Sequence, residues 1–314
     1  MKALVNGVWR TDAQDTPAFR EAAARSGFRH RITADGSSGF PAEPGRYHLY
    51  VSYACPFAHR TLLVRKLKGL EDAVSVSVLD PDWGRPEGWV FNDGPDATPD
   101  HVNGRATLYE VYLMADPAFT GRVTVPLLWD KQKGTAVNNE SAEIVRMLNA
   151  AFPEHGPDLY PEPLRPEIDR VNEVVAREVN AGVYRAGFAR TQEDYDAAVE
   201  RLFAALDGLE ERLAGGRTYL VGGRLTEADV RLFPTLVRFD AAYHGALNCN
   251  LRRLVDYRNL WAYTRRIYHL PGVAETVRLD HIKRHYYDDH PMINRRIVPK
   301  GPLIDFGARE AIAA

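Results

Sequence analysis

The stretch from Arg46 to Asp80 constrains the fold more than any other part of this chain. RYHLYVSY, Arg46 to Tyr53, is rich in strand-forming residues and ends in a turn, which predicts a strand. CPFAHRTLLVRKLKGL follows at once. Pro56 suits a first helical turn, Gly69 suits a helix end, and Ala58, Leu62, Leu63, Val64 and Leu67 give one broad apolar face. VSVSVLD, Val74 to Asp80, alternates with period two and predicts a second strand. Strand, helix and strand in so short a span make a β-α-β unit, and hence an α/β domain.

The rest of the chain divides around a break. RVTVPLLWD, Arg122 to Asp130, predicts a third strand turning at KQKGT, and Asn139-Glu140-Ser141 opens a helix with Ile144, Val145 and Leu148 on its apolar face. Between them, residues 81–121 carry Trp83, Trp89 and Phe91 without periodicity; a loop that long in a compact domain is usually functional. Ala151 to Pro166 is Pro-rich and reads as a linker. Beyond it the signals are helical. DYDAAVERLFAALDGLEERLAGG repeats every 3.6 residues up to a Gly-Gly stop, and Thr226-Glu227-Ala228-Asp229 has the form of a capping box. The expected organisation is an extended N-terminal arm over 1–40, an α/β domain over 41–150, a linker over 151–166, and an all-helical domain with a C-terminal extension over 167–314.

Composition narrows the function. Forty basic against 42 acidic residues leave a formal charge of -2, with no basic run, so nucleic acid is not an expected partner. No apolar stretch approaches the length of a transmembrane helix, and MKALVNGVWR lacks a signal-peptide core; the expectation is a cytoplasmic protein without membrane partners.

The two cysteines, Cys55 and Cys249, cannot form a disulfide framework, and neither has a CxxC partner or metal-ligand spacing, so no metal is expected. Cys249, within LNCNL, reads as a small buried hydrophobe. Cys55 lies between a strand and a helix, directly before Pro56. Unpaired N–H groups and the positive end of the helix dipole at such a place favour thiolate over thiol, and the thiolate is the nucleophile. Ala58 stands where a second cysteine would resolve a mixed disulfide, so release requires an external thiol.

Val125-Pro126 opens a strand, where proline marks an edge or a special bond. A cis bond is expected here, with the Val125 backbone turned toward an extended ligand. Glu140-Ser141 at a helix start offers a carboxylate to an ammonium group and a hydroxyl with free N–H groups to a carboxylate. Those are the two charged ends of a γ-glutamyl amino acid. Taken alone, Ser141 reads first as a helix cap.

Cys55-Pro56-Phe57-Ala58-His59-Arg60, Gly88-Trp89-Val90-Phe91, Arg122-Val123-Thr124-Val125-Pro126, Asn139-Glu140-Ser141 and Asn180-Ala181-Gly182-Val183-Tyr184, in that order, resemble the glutathionyl-hydroquinone reductases, the Xi class of glutathione transferases. The resemblance spans nearly the whole chain, including the closing His-Tyr-Tyr segment. It implies an N-terminal thioredoxin-like domain followed by a C-terminal helical glutathione-transferase domain, assembled as a homodimer. It also implies reduction of quinone-derived thioethers with glutathione as cosubstrate and no tightly bound cofactor. By the same resemblance Cys55 is the nucleophile, and Trp89, Arg122, Val125, Glu140 and Ser141 hold glutathione. Tyr184 and Tyr287 act at the acceptor, in a pocket to which Phe57 and Tyr286 also contribute; which of Tyr286 and Tyr287 faces it stays open. Phe57 replaces the family's usual Trp. Two other readings remain: an omega-like thioltransferase or dehydroascorbate reductase, and a non-catalytic binding module.

Overall fold

A computed structural model describes residues 1–288 and 297–307. Part of the closing segment, residues 289–296, and the last residues, 308–314, lie outside the described residues. The chain forms two compact units, Met1–Gly156 and Pro157–Ala314, which meet within the Pro-rich stretch read as a linker.

The first unit carries a four-stranded sheet in the order β4-β3-β5-β6. Its centre is β3 (Tyr47–Val51), parallel to β4 (Val74–Val78) and antiparallel to β5 (Leu127–Asp130), which pairs in turn with β6 (Thr135–Asn138). Every residue of β3 is buried, His48 included. That burial holds His48 neutral, with its pKa lowered to about 3, and its Nδ1 lies 2.8 Å from Ser75 Oγ. At the other end Arg46 donates to the buried carboxylate of Asp130 at 2.6 Å, tying the start of β3 to the end of β5.

Helix α2 (Pro56–Leu67) begins at Pro56 and stops where Gly69 takes φ +64. Its Ala58, Leu62, Leu63 and Val64 are buried, and it packs on α4 (Ser141–Ala151), whose Ile144, Val145 and Leu148 are buried as well. The Val125–Pro126 bond is cis.

Three parts of this unit differ from the sequence reading. The first forty residues are not simply an extended arm. Residues 3–10 form a hairpin of β1 (Ala3–Val5) and β2 (Val8–Arg10), followed by α1 (Pro17–Ser26), which is capped by Thr16. The irregular stretch contains α3 (Leu108–Ala115), opened by a Thr107–Glu110 capping box. The expected strand over 122–130 is shorter, pairing only over Leu127–Asp130, and β6, which starts at the last residue of KQKGT, adds a hairpin partner.

The second unit is helical; among its described residues the only β pairing is an isolated bridge between Val221 and Arg224. It comprises α5 (Arg165–Val174), α6 (Gly182–Gly187), α7 (Gln192–Arg212), α8 (Glu227–Leu236), α9 (His244–Ala246), α10 (Arg258–Tyr268) and α11 (Leu279–Lys283). Wider π-helical turns follow α5, precede α9 and extend α11, over Val175–Asn180, Phe239–Tyr243 and Arg284–Asp288. The capping box is present at α8. Fully buried Asp229 accepts from the Thr226 and Leu220 backbones and from the Tyr263 hydroxyl, and desolvation still raises its pKa to about 6. No helix among the described residues is long and apolar enough to cross a membrane.

Candidate active site

Cys55 is the N-cap of α2, at φ −80 and ψ 121, and its carbonyl accepts the first intrahelical bond from His59 at 3.0 Å. Its thiol caps nothing and is partly exposed. Proline at the next position has no N–H, so the orphan donors of this turn belong to the residues that follow. The Cys55 Sγ lies 3.6 Å from the Val125 carbonyl, at the cis bond. The Val125 N–H makes no hydrogen bond among the described residues, which leaves one backbone donor and one acceptor beside the thiol.

The start of α4 supplies the complementary end. Glu140 caps it by accepting from the Ala142 N–H at 3.1 Å, and Ser141 is buried at the first helical position with its own N–H unpaired among the described residues. Arg60 bridges the two helices: Nη1 donates to Ser141 Oγ at 3.2 Å, and the guanidinium lies over the Phe57 ring, 4.8 Å from its centroid. His59 is fully buried. The charges next to Cys55 in sequence therefore turn into the fold, Arg60 toward Ser141. Arg122 is exposed and makes no ion pair among the described residues. Trp89 is buried, with its carbonyl accepting from Leu108 N–H at 3.0 Å.

In the helical unit, Tyr184 and Tyr286 meet hydroxyl to hydroxyl at 2.6 Å. Tyr286 also donates to Tyr243 at 3.4 Å, and the Tyr243 and Tyr286 rings meet edge-on, 5.3 Å apart. Desolvation raises the Tyr286 pKa far above its ordinary value, so this buried hydroxyl is a neutral donor. Tyr287 points elsewhere: its hydroxyl occupies the space a side chain at Gly245 would need, next to the Ala246 backbone. Of the two adjacent tyrosines, Tyr286 joins Tyr184 and Tyr287 does not. Tyr243 was not singled out from the sequence, because an aromatic in the apolar run after α8 carries no signal beyond core packing.

Such a cysteine at the first helix of a β-α-β unit, in a chain whose second unit is helical, fits the transferase class. The glutathione S-transferase N-terminal domain matches residues 54–151, and the glutathione S-transferase C-terminal domain matches 192–266. The chain is 52% identical to the glutathionyl-hydroquinone reductase PcpF of Sphingobium chlorophenolicum, over 96% of each chain. Among solved structures it matches a Xi class transferase from Natrialba magadii with a TM-score of 0.93 and 50% identity, over 98% of this chain and 96% of that one. The glutathione-bound structure of YqjG from Escherichia coli K-12 matches with a TM-score of 0.89 and 48% identity, over 96% of each. This chain belongs to the glutathionyl-hydroquinone reductases, the Xi class of glutathione transferases.

Proposed function

We propose that the protein reduces glutathionyl-hydroquinones to hydroquinones through a mixed disulfide between Cys55 and glutathione. The observation that carries this reading is the thiol at the α2 N-terminus, beside the unpaired Val125 N–H and its carbonyl. A peptide cysteine held by that donor and acceptor presents its sulfur to Cys55. The unpaired Ser141 N–H and the Glu140 carboxylate suit the carboxylate and ammonium of a γ-glutamyl group. Exposed Arg122 and buried Trp89 complete the proposed glutathione set.

Attack on the sulfur of an aryl thioether would leave a carbanion, which is prohibitive. If the ring first tautomerises to a ketone beside that carbon, the departing electron pair becomes an enolate and then a phenol. Neutral tyrosine hydroxyls stabilise such an oxygen. Tyr184 and Tyr286 are the proposed donors: their hydroxyls meet at 2.6 Å, and a proton now shared among the tyrosines turns to the ring oxygen when the substrate binds. Tyr243 supports Tyr286. The Cys55 thiolate forms the S–S bond as C–S breaks, the hydroquinone leaves with a proton on carbon, and a second glutathione releases oxidised glutathione and regenerates the thiolate. A homodimer, implied by the family resemblance, and a cytoplasmic location, expected from the sequence, belong to the same reading.

A panel of glutathionyl-hydroquinones assayed beside dehydroascorbate tests the proposal. Faster release of hydroquinone than reduction of dehydroascorbate is expected. Turnover of dehydroascorbate alone would replace this reading with the omega-like one, and inertness toward both would leave a binding module.

A further inference from the structure

We propose that the N-terminal hairpin is a clasp that positions Trp89 and Arg122, with Lys2 and Trp9 as positioning residues for glutathione. The inference rests on the proposed role of those two residues in holding glutathione. The hairpin reaches both. On one side Leu4 exchanges two backbone hydrogen bonds with Gly121, each 2.9 Å, and Gly7 N–H donates to Phe119 at 3.0 Å, fixing the chain directly before Arg122. On the other side Lys2 Nζ donates to the carbonyls of Trp83 at 2.5 Å and Arg85 at 2.6 Å, and lies 4.7 Å from the centre of the Trp83 ring. Trp9 Nε1 donates to the next carbonyl in line, Pro86, at 2.9 Å.

The Trp9 ring adds a seat. It stacks on Tyr109 of α3, centroids 4.8 Å apart and planes 14° from parallel. The same ring lies against Gly88, which takes φ +72; a Cβ there would lie 3.0 Å from the indole. Gly88 is the residue immediately before Trp89. The chain is thus gripped at the carbonyls of Trp83, Arg85 and Pro86 and then laid on an indole, one residue short of the tryptophan assigned to glutathione. From Trp89 onward the α3 side takes over, through Leu108 N–H to the Trp89 carbonyl and Phe91 N–H to Ala106. Segment 83–88 has no regular structure of its own, so cationic and indole donors on its carbonyls set where Trp89 begins.

Lys2→Met keeps the aliphatic stem and removes the donors, and Trp9→Phe keeps a stacking ring and removes Nε1–H. Each should lower kcat/KM for glutathione about tenfold, with kcat at saturating glutathione retained. Lys2→Arg should restore it, and hydrogen exchange over residues 81–91 should quicken in Lys2→Met while the sheet stays protected. Lys2→Met added to Trp89→Leu should cost nothing further, because both act through one side chain. Wild-type kcat/KM for glutathione in both clasp variants overturns the proposal. If Trp89→Leu is impaired in that case, only the clasp has failed. If Trp89→Leu is also unimpaired, the assignment of Trp89 to glutathione has failed with it.

Discussion

Cys55 and Cys249 carry the same thiol in opposite settings. Cys55 is partly exposed beyond the turn that follows β3, at the N-terminus of α2, with a backbone carbonyl 3.6 Å from its sulfur. Cys249 is fully buried in the helical unit, within reach of the carbonyls of Val183 and Leu247 at 3.7 and 3.6 Å. Desolvation alone pushes its thiol up to about 12. The difference lies in which ionisation state the surroundings favour. Orphan N–H groups at a helix start favour an anion, whereas an apolar interior with acceptor carbonyls favours the proton.

Cys55→Ser breaks the comparison most severely if it is right. Thioether cleavage should fall at least about a thousandfold, since the alcohol has no accessible anion at neutral pH. Initial rates of hydroquinone release measure this directly.

The tyrosines give the next largest effect. Replacing both Tyr184 and Tyr286 with Phe should slow hydroquinone release about a hundredfold, as loss of oxyanion-type donors does. Reduction of a simple mixed disulfide at Cys55 has a thiolate leaving group and should be spared. Equal losses on both substrates would mean that the tyrosines shape the pocket without acting on a ring oxygen. Tyr287→Phe, at a hydroxyl set against Gly245, should have little effect on either.

The smallest effect belongs to Cys249. Cys249→Ser should keep cleavage within about twofold of wild type, because an alcohol there still meets acceptor carbonyls. The buried thiol should show itself in stability instead. Its folded pKa, near 12, lies above the unfolded value of about 8.5. Its contribution is therefore complete below pH ~8.5 and is lost as pH rises toward 12, with a slope of up to about 1.4 kcal/mol per pH unit. Urea midpoints of wild type and Cys249→Ala, compared across that range, isolate the term.

The two units were not equally legible in the sequence. In the first, local rules carried the reading: Pro56 and Gly69 bound a helix, the period-two run of 74–78 is β4, and Val125–Pro126 is cis. The N-terminal hairpin was missed because its strands are three residues each and its pairing with Gly121 is remote in sequence. Helix α3 had a signal in the Thr107–Glu110 box, outweighed by the surrounding Gly, Pro and Asp. In the second unit the cap at Thr226 and the long period of α7 were readable, whereas Tyr184 and Tyr286 came only with the resemblance and Tyr243 not at all. Tyr184, Tyr243 and Tyr286 come from three separate segments, two of them π-helical, where the 3.6-residue period no longer tells which side chain faces which way.

One single-turnover experiment tests the role of Cys55 most directly. The enzyme is mixed with a glutathionyl-hydroquinone in the absence of free glutathione, quenched in acid, digested and read by mass spectrometry. One glutathionyl group per chain should appear on the peptide containing Cys55, in step with one equivalent of hydroquinone, and disappear when glutathione is added. Hydroquinone released with Cys55 unmodified, or the group found on Cys249, would contradict it.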